Sequence, residues 1–160
     1  MESDALLVVG AGPVAEALGP MAELLGWRTT VATTVEEATA ALPSVRAVVV
    51  TSHDPEVDAP ALAAALAARP DYIGAMGSRG RQAQRREWML AHGVTEDDLA
   101  VVHGPAGLDI GANTPAEIAL SILAELVATL RGAAATASLK DGSGPLHPDL
   151  APGETFTPDG

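Results

Sequence analysis

At 160 residues the chain has the size of one domain of about 100 to 200 residues, which excludes a catalytic unit carrying its own separate substrate domain. Hydrophobic residues at 48% against 19% charged exclude wholesale disorder, and 21 acidic residues against nine basic ones give a net charge of −12, the wrong sign for a nucleic-acid or anionic-membrane binder. Cysteine is absent, which excludes disulfides, thiolate metal sites and a thiol nucleophile within this chain; with four aromatic residues (Trp27, Tyr72, Trp88, Phe156), the core must be built from Ala, Leu, Val and Ile.

The first five residues carry acids rather than a basic leader region, and the apolar run 5–9 is too short to cross a membrane, so the expected address is the cytoplasm. From there short β-branched runs alternate with longer Ala/Leu segments, the pattern of parallel strands joined by crossover helices. Strands are expected over 5–9, 29–32, 47–51 and 72–75, with a weaker one over 99–102. Helices are expected over 13–25, 35–42, 60–68, 79–91 and 115–131. The strand runs are continuous rather than alternating, as in strands covered on both faces. The fold class is therefore α/β, a doubly wound, mainly parallel sheet of about five to six strands with helices on both faces.

Two helices carry readable punctuation. Gly19-Pro20 lies inside the first, where Pro20 removes the bond to the carbonyl of Glu16, and predicts a kink or a break. The last begins with Thr114, Pro115 and Glu117, a capping box with proline at the first helical position. Its apolar positions Ile118, Ile122, Leu126 and Leu130, flanked by Leu120, Leu123 and Val127, leave Glu117, Ser121 and Glu125 as the expected wet stripe. From residue 132 onward the final 29 residues hold five Gly and four Pro with no Val or Ile, which reads as an extended or disordered tail behind a domain of 1–131.

Candidate chemistry follows the strand ends. After the first strand comes Gly10-Ala11-Gly12-Pro13-Val14-Ala15, the G-x-G-x-x-A form of a phosphate-binding turn. Gly10 permits the tight turn, Gly12 lets a pyrophosphate approach the backbone, and Ala15 lets the helix pack close to the strand. Pro13 deletes an N–H that would have no partner within the helix. A nicotinamide cofactor also calls for an acid at the end of the second strand, and that place holds Thr33, with Glu36 and Glu37 beyond it on a helix.

The third strand ends in Thr51-Ser52-His53-Asp54, where His53 can donate to a ligand or act as acid/base, or be a loop histidine beside an N-capping Asp54. The fourth ends in Gly77-Ser78-Arg79-Gly80-Arg81, followed by Arg85 and Arg86, half of the eight arginines of the chain. Ser78 and Arg79 suit an anion at a helix start, while Arg85 and Arg86 read as a solvated helix face. The glycine-rich stretch 104–113 presents Gly107, Asp109, Ile110 and Asn113. A metal set of His53, Asp54, His103 and Asp109 has no supporting spacing, and loop capping is the preferred reading for it.

With GAGPVA at 10–15, TSHDPEVD at 51–58, YIGAMGSRGR at 72–81 and GPAGLDIGANTPAEIALSILAEL at 104–126, the chain resembles the C-terminal Rossmann domain of the XdhC/CoxI family, accessory proteins of xanthine dehydrogenase and related molybdenum hydroxylases. The likeness covers nearly all of residues 5–131. It implies a Rossmann-like domain that binds molybdenum cofactor, as molybdopterin or its dinucleotide form, and assists its sulfuration and insertion into a xanthine- or CO-dehydrogenase-like apo-enzyme. By position, His53, Gly77, Ser78, Arg79, Gly107, Asp109 and Ile110 match the family's motif residues. Two departures are the missing acid at Thr33 and the missing N-terminal domain with its cysteine motif, which points to a separate cysteine-bearing partner or to a fragment. The expected role is holding and delivering the cofactor rather than catalysis, with a homodimer as an option for assembly. Two alternatives stay open: a small NAD(P)-dependent oxidoreductase using His53 as acid, and a docking domain without ligand.

Overall fold

The computed structural model describes residues 4–133, 138–143, 146, 149–151, 153–155 and 157–158. The N-terminal residues 1–3, and part of the segment read from sequence as a flexible tail, lie outside the described residues. Consecutive side chains of a strand point to opposite faces, so an uninterrupted apolar run must feed two cores at once. In β1 (Ala5–Val9) Leu6 and Val8 join a cluster with Val14, Leu18, Ile122 and Leu126, while Leu7 and Val9 join a second with Leu62, Leu66 and Met89.

The chain continues through α1 (Pro13–Leu24), β2 (Arg28–Ala32), α2 (Val35–Ala41), β3 (Ala47–Val50), α3 (Asp58–Ala68), β4 (Tyr72–Ala75) and α4 (Arg79–Ala91). A short α5 (Glu96–Leu99) and the long α6 (Pro115–Leu130) complete it. All strand pairs are parallel in the order β2-β1-β3-β4, with Leu7 level with Thr30 and Val48, and Val49 level with Gly74. Helices α1 and α6 cover one face and α2, α3 and α4 the other. Because β2 lies on one side of β1 and β3 on the other, the topological switch point falls between the carboxyl ends of β1 and β3, where open α/β sheets bind ligands.

Four expectations change. The sheet has four strands, not five to six. Thr95 caps the backbone N–H of Asp98 and three acids fill the next turn, so α5 takes Leu99 and the chain turns over 100–102; beside β4 a single parallel bridge between Gly74 and His103 remains. Of the kink or break expected at Pro20, the break does not occur: helix α1 continues through it, and Pro20 and Glu16 are both exposed, so the carbonyl that loses its amide partner lies on the solvent side. Strand β2 is an edge strand with Thr30 and Val31 exposed, not covered on both faces.

The last change concerns α6, whose capping box forms as read, Thr114 Oγ1 accepting from Glu117 N at 3.2 Å and Glu117 Oε1 from Thr114 N at 3.2 Å. Its faces differ from the prediction. Ser121 is buried and the Glu125 side chain is 17% exposed, whereas Leu120 is 53% exposed. Of the supposed wet stripe, Glu125 accepts from Gly107 N of the glycine-rich loop, Ser121 Oγ donates to Ile118 O of its own helix, and Glu117 is held in the capping box. An apolar groove of about 550 Å³ opens on the other side between α1 and α6, lined by Met21, Leu24, Leu25, Leu120, Leu123 and Val127.

Candidate functional site

The Gly10 turn is tied to its neighbour strands by Gly10 N donating to Ala32 O at 2.8 Å. Gly10 has φ 129°, and a Cβ there would stand 2.5 Å from Thr51 Oγ1 and 2.6 Å from Ser52 N, so this glycine lets the turn press on the end of β3. Gly12, at φ 109°, has nothing within 4 Å of its would-be Cβ, and the backbone there is open to a ligand. Pro13 occupies the first turn of α1, and Ala15 is buried in the core beneath it. The two glycines thus divide the work assigned to them from sequence: one packs, the other is free.

At the end of β2 the expected acid is absent from position 33, but a carboxylate is present in space. Glu37, in the first turn of α2, accepts from Thr33 N at 2.8 Å and from Thr33 Oγ1 at 3.2 Å. The Thr33 backbone N–H, then its hydroxyl, hold this carboxyl below the usual carboxylate range, so it is ionised at neutral pH.

The loop after β3 begins with Thr51, buried, whose N–H donates to Val9 O at 2.8 Å. Asp54 Oδ1 accepts from Glu56 N at 2.9 Å and the Asp54 carbonyl accepts from Val57 N and Asp58 N, so Asp54 shapes the approach to α3 without capping it. The His53 ring is exposed, while the His53 carbonyl accepts from Arg81 Nη1 at 2.7 Å.

At the start of α4, Ser78 is the N-cap, its Oγ accepting from Arg81 N at 3.2 Å. Gln82 Nε2 donates to Ala75 O at 2.9 Å and to Gly77 O at 3.2 Å, bracing the turn from beneath. The arginines part company here. Arg86 pairs with Glu96 in the open, as a solvated face would. Arg85, expected on that face, is instead buried at 3% exposure: Nε donates to Asp58 Oδ2 at 2.9 Å, Nη1 to Met76 O at 2.6 Å and Nη2 to Ser52 O at 3.0 Å. Position 85 falls on the α3 side of α4 rather than its outer side, and Asp58 at the start of α3 supplies the counter-charge that burial requires. Arg79 is exposed and has no protein partner among the described residues.

In the loop 104–113, Gly107 serves packing. At φ 109° a Cβ would lie 2.4 Å from Ser121 Oγ, and Gly107 N donates to Glu125 Oε1 at 3.1 Å. Tyr72 OH donates to the same oxygen at 2.8 Å, and burial first, then the Glu125 charge, pushes the Tyr72 hydroxyl far above the usual phenol range. His103 stacks on Tyr72 with ring centroids 4.8 Å apart and Nδ1 3.4 Å from Glu125 Oε1. Asp109 and Ile110 are exposed. The loop is joined to β4 by Ala106 N donating to Ala75 O at 3.0 Å.

The predicted site residues therefore lie on loops and in the first helical turns at the carboxyl edge of the sheet, with Ala15 buried beneath it. The Gly10 turn abuts Thr51 and Ser52, the 51–54 loop is tied to the 76–78 turn through Arg85, and the 104–110 loop hangs from β4. Sequence reasoning missed Arg85, Asp58, Gln82 and Glu125 as organisers. The contacts that tie them to other elements span up to 53 positions, and no spacing rule reaches most of them. No group of three or more His, Asp or Glu placed to hold a metal ion occurs among the described residues, and no described helix is long and apolar enough to cross a membrane.

Comparison with known proteins places this geometry. The family described as the XdhC Rossmann domain matches residues 6–126. The chain is 33% identical over 94 residues to the molybdenum cofactor insertion chaperone PaoD of Escherichia coli K12, a match that covers 59% of this chain and 29% of that protein. It is 35% identical over 77 residues to the uncharacterised protein YqeB of the same organism, covering 48% of this chain and 14% of that one. Among solved structures, one described as a xanthine dehydrogenase from Bacillus halodurans superposes with a TM-score of 0.67 and 25% identity, over 82% of this chain and 44% of that chain. The chain thus spans less than half the length of each of these relatives.

Proposed function

We propose, since this chain belongs to the XdhC Rossmann-domain family, that it is an accessory protein of molybdenum-enzyme maturation which holds a phosphate-bearing molybdenum cofactor and hands it to an apo-hydroxylase of the xanthine or CO dehydrogenase kind. One observation carries this reading most. Arg79, the arginine of the α4 stretch left without a protein partner among the described residues, stands at the start of a thirteen-residue helix, on the same sheet edge as the open backbone of Gly12. A helix start with a free guanidinium and a glycine turn with free backbone are two complementary ways to hold phosphate oxygens, so the residues fit the group. The likeness to PaoD supports the identity of the cargo.

In this mechanism the chain's own residues bind and orient. Gly12 and the start of α1 receive one phosphate, Arg79 and the start of α4 the other charge, and His53 stands exposed between them in sequence order to donate a hydrogen bond. Asp109 and Ile110, exposed on the loop beyond β4, close the side of the site away from β2. The Glu37 carboxylate, ionised and fixed at the end of β2, favours the dinucleotide form, since it stands where a ribose diol would be received. The same observation is the one that favours an NAD(P)-binding alternative. With no cysteine among these 160 residues, the domain itself supplies no thiol for sulfur chemistry on the cargo.

The test is reconstitution. An apo-molybdenum hydroxylase is incubated with molybdenum cofactor, with and without this protein, and its turnover is followed. The reading predicts a higher yield of active enzyme with the protein present; an unchanged yield, together with tight NADH or NADPH binding by fluorescence titration, would replace it with the oxidoreductase alternative.

A further inference from the structure

We propose that Arg85 is a positioning residue that fixes the spacing of the two loops carrying His53 and Ser78–Arg79, a proposal that rests on the reading of this edge as a ligand site. Its guanidinium reaches three separate acceptors: Asp58 Oδ2 on α3 at 2.9 Å, Met76 O before the Gly77 turn at 2.6 Å, and Ser52 O before His53 at 3.0 Å. A guanidinium is planar, with its donors at fixed angles, so three acceptors on three elements are held in one plane. A lysine, with one point of charge on a flexible stem, has no equivalent geometry.

Both charged partners of the clamp are buried. Arg85 and Asp58 are 3% and 2% exposed, and Asp58 Oδ1 is itself fixed by Ala59 N at 2.6 Å. The Gly77 backbone passes directly over the guanidinium, where a Cβ would lie 3.3 Å from Arg85 Nη1. One helical turn earlier, Arg81 ties the same β3 loop through the His53 carbonyl. Stability alone does not call for this arrangement, because buried ion pairs are often replaced by apolar residues of similar volume without loss. What an apolar pair cannot do is bind two loop carbonyls, Ser52 O and Met76 O, and so set the distance between the histidine loop and the arginine turn. The charge of Arg85 is matched by Asp58 at contact distance, so it leaves the work of attracting an anion to Arg79.

The experiment uses the full chain and the double variant Arg85→Met/Asp58→Leu, with Arg85→Lys as the conservative control. Thermal unfolding reports the fold. Amide hydrogen exchange without ligand reports the loops, and titration with molybdenum cofactor reports the site. The clamp predicts a double variant that melts near the wild-type temperature, yet exchanges at least about tenfold faster over residues 52–54 and 76–79 and binds the cofactor at least about tenfold more weakly. Arg85→Lys should show the same loop and binding defects, since it keeps the charge and loses the fork. Wild-type exchange in both loops overturns the clamp, as does faster exchange with unchanged affinity. If the double variant unfolds, Arg85→Lys decides by the same two readouts. Absence of cofactor binding by the wild-type protein overturns the proposed function instead, and the exchange comparison still decides whether Arg85 orders the loops.

Discussion

The two edges of the same sheet use arginine in opposite ways. At the amino edge Arg46 pairs with Asp4 at 3.0 Å and Asp71 at 2.5 Å, and Arg69 with Asp98 at 3.4 Å, all with side chains open to solvent, around a broad depression of about 1050 Å³. At the carboxyl edge Arg85 and Asp58 form a pair sealed from water, Arg79 has no partner among the described residues, and the hollow between α3 and α4 is only about 110 Å³. The larger hollow is thus at the edge where Asp4, Arg46, Arg69 and Asp71 are already paired, and strands of open α/β sheets do not bind ligands there. Volume is a poor guide to this molecule. What separates the edges is which charges are buried to hold backbone and which are left free.

The sharpest way to break this contrast is Arg85→Ala. It leaves Asp58 buried without its counter-charge, and the expected loss is about 3–5 kcal/mol in chemical denaturation. A loss no larger than that of a surface pair would mean that Asp58 finds water and that the two edges are alike.

Next in size is Tyr72→Phe, which removes a buried hydrogen bond to the Glu125 carboxylate and should cost about 1.5–3 kcal/mol. The pH dependence has a definite sign. The Tyr72 hydroxyl is raised above its ordinary 10.0, so its contribution is whole below pH 10.0 and falls away as the pH rises beyond it. Denaturation midpoints measured from neutral to alkaline pH should drop less steeply in Tyr72→Phe than in the wild-type protein.

Arg46→Ala, at the other edge, should change stability by no more than about 1 kcal/mol, and by less still at high salt. The smallest effect belongs to Glu37. Its pKa lies below the ordinary 4.5, so its hold on Thr33 is complete above that value and is lost as the pH falls through the depressed one. The Thr33 amide resonance should report that loss, with the global fold unchanged.

Much of this was legible beforehand. Continuous apolar runs such as Leu6–Val9 announce strands between two layers, and the Thr114/Glu117 box announces α6 because both partners are three residues apart. The predicted fifth strand failed for a local reason: Thr95 followed by Glu96, Asp97 and Asp98 is itself a helix start that takes Leu99, and Val101 and Val102 then donate back to Asp98 O and Leu99 O in a turn. The burial of Ser121 and Glu125 was not legible, since it depends on a loop and on Tyr72, 53 positions away from Glu125. The same holds for the candidate site. Gly12 and Arg79 are visible in short motifs, whereas the Arg85–Asp58 pair joins residues 27 apart on different helices, and a charged residue in a helical stretch reads as solvated until its partner is known.

The measurement that bears most directly on the account is titration of molybdenum cofactor against the wild-type protein, Arg79→Ala and Arg46→Ala. A cofactor held at the carboxyl edge predicts binding by the wild type, weakening of at least about tenfold for Arg79→Ala through loss of one charge-assisted phosphate contact, and no change for Arg46→Ala. Equal affinity in all three, or weakening confined to Arg46→Ala, would contradict it.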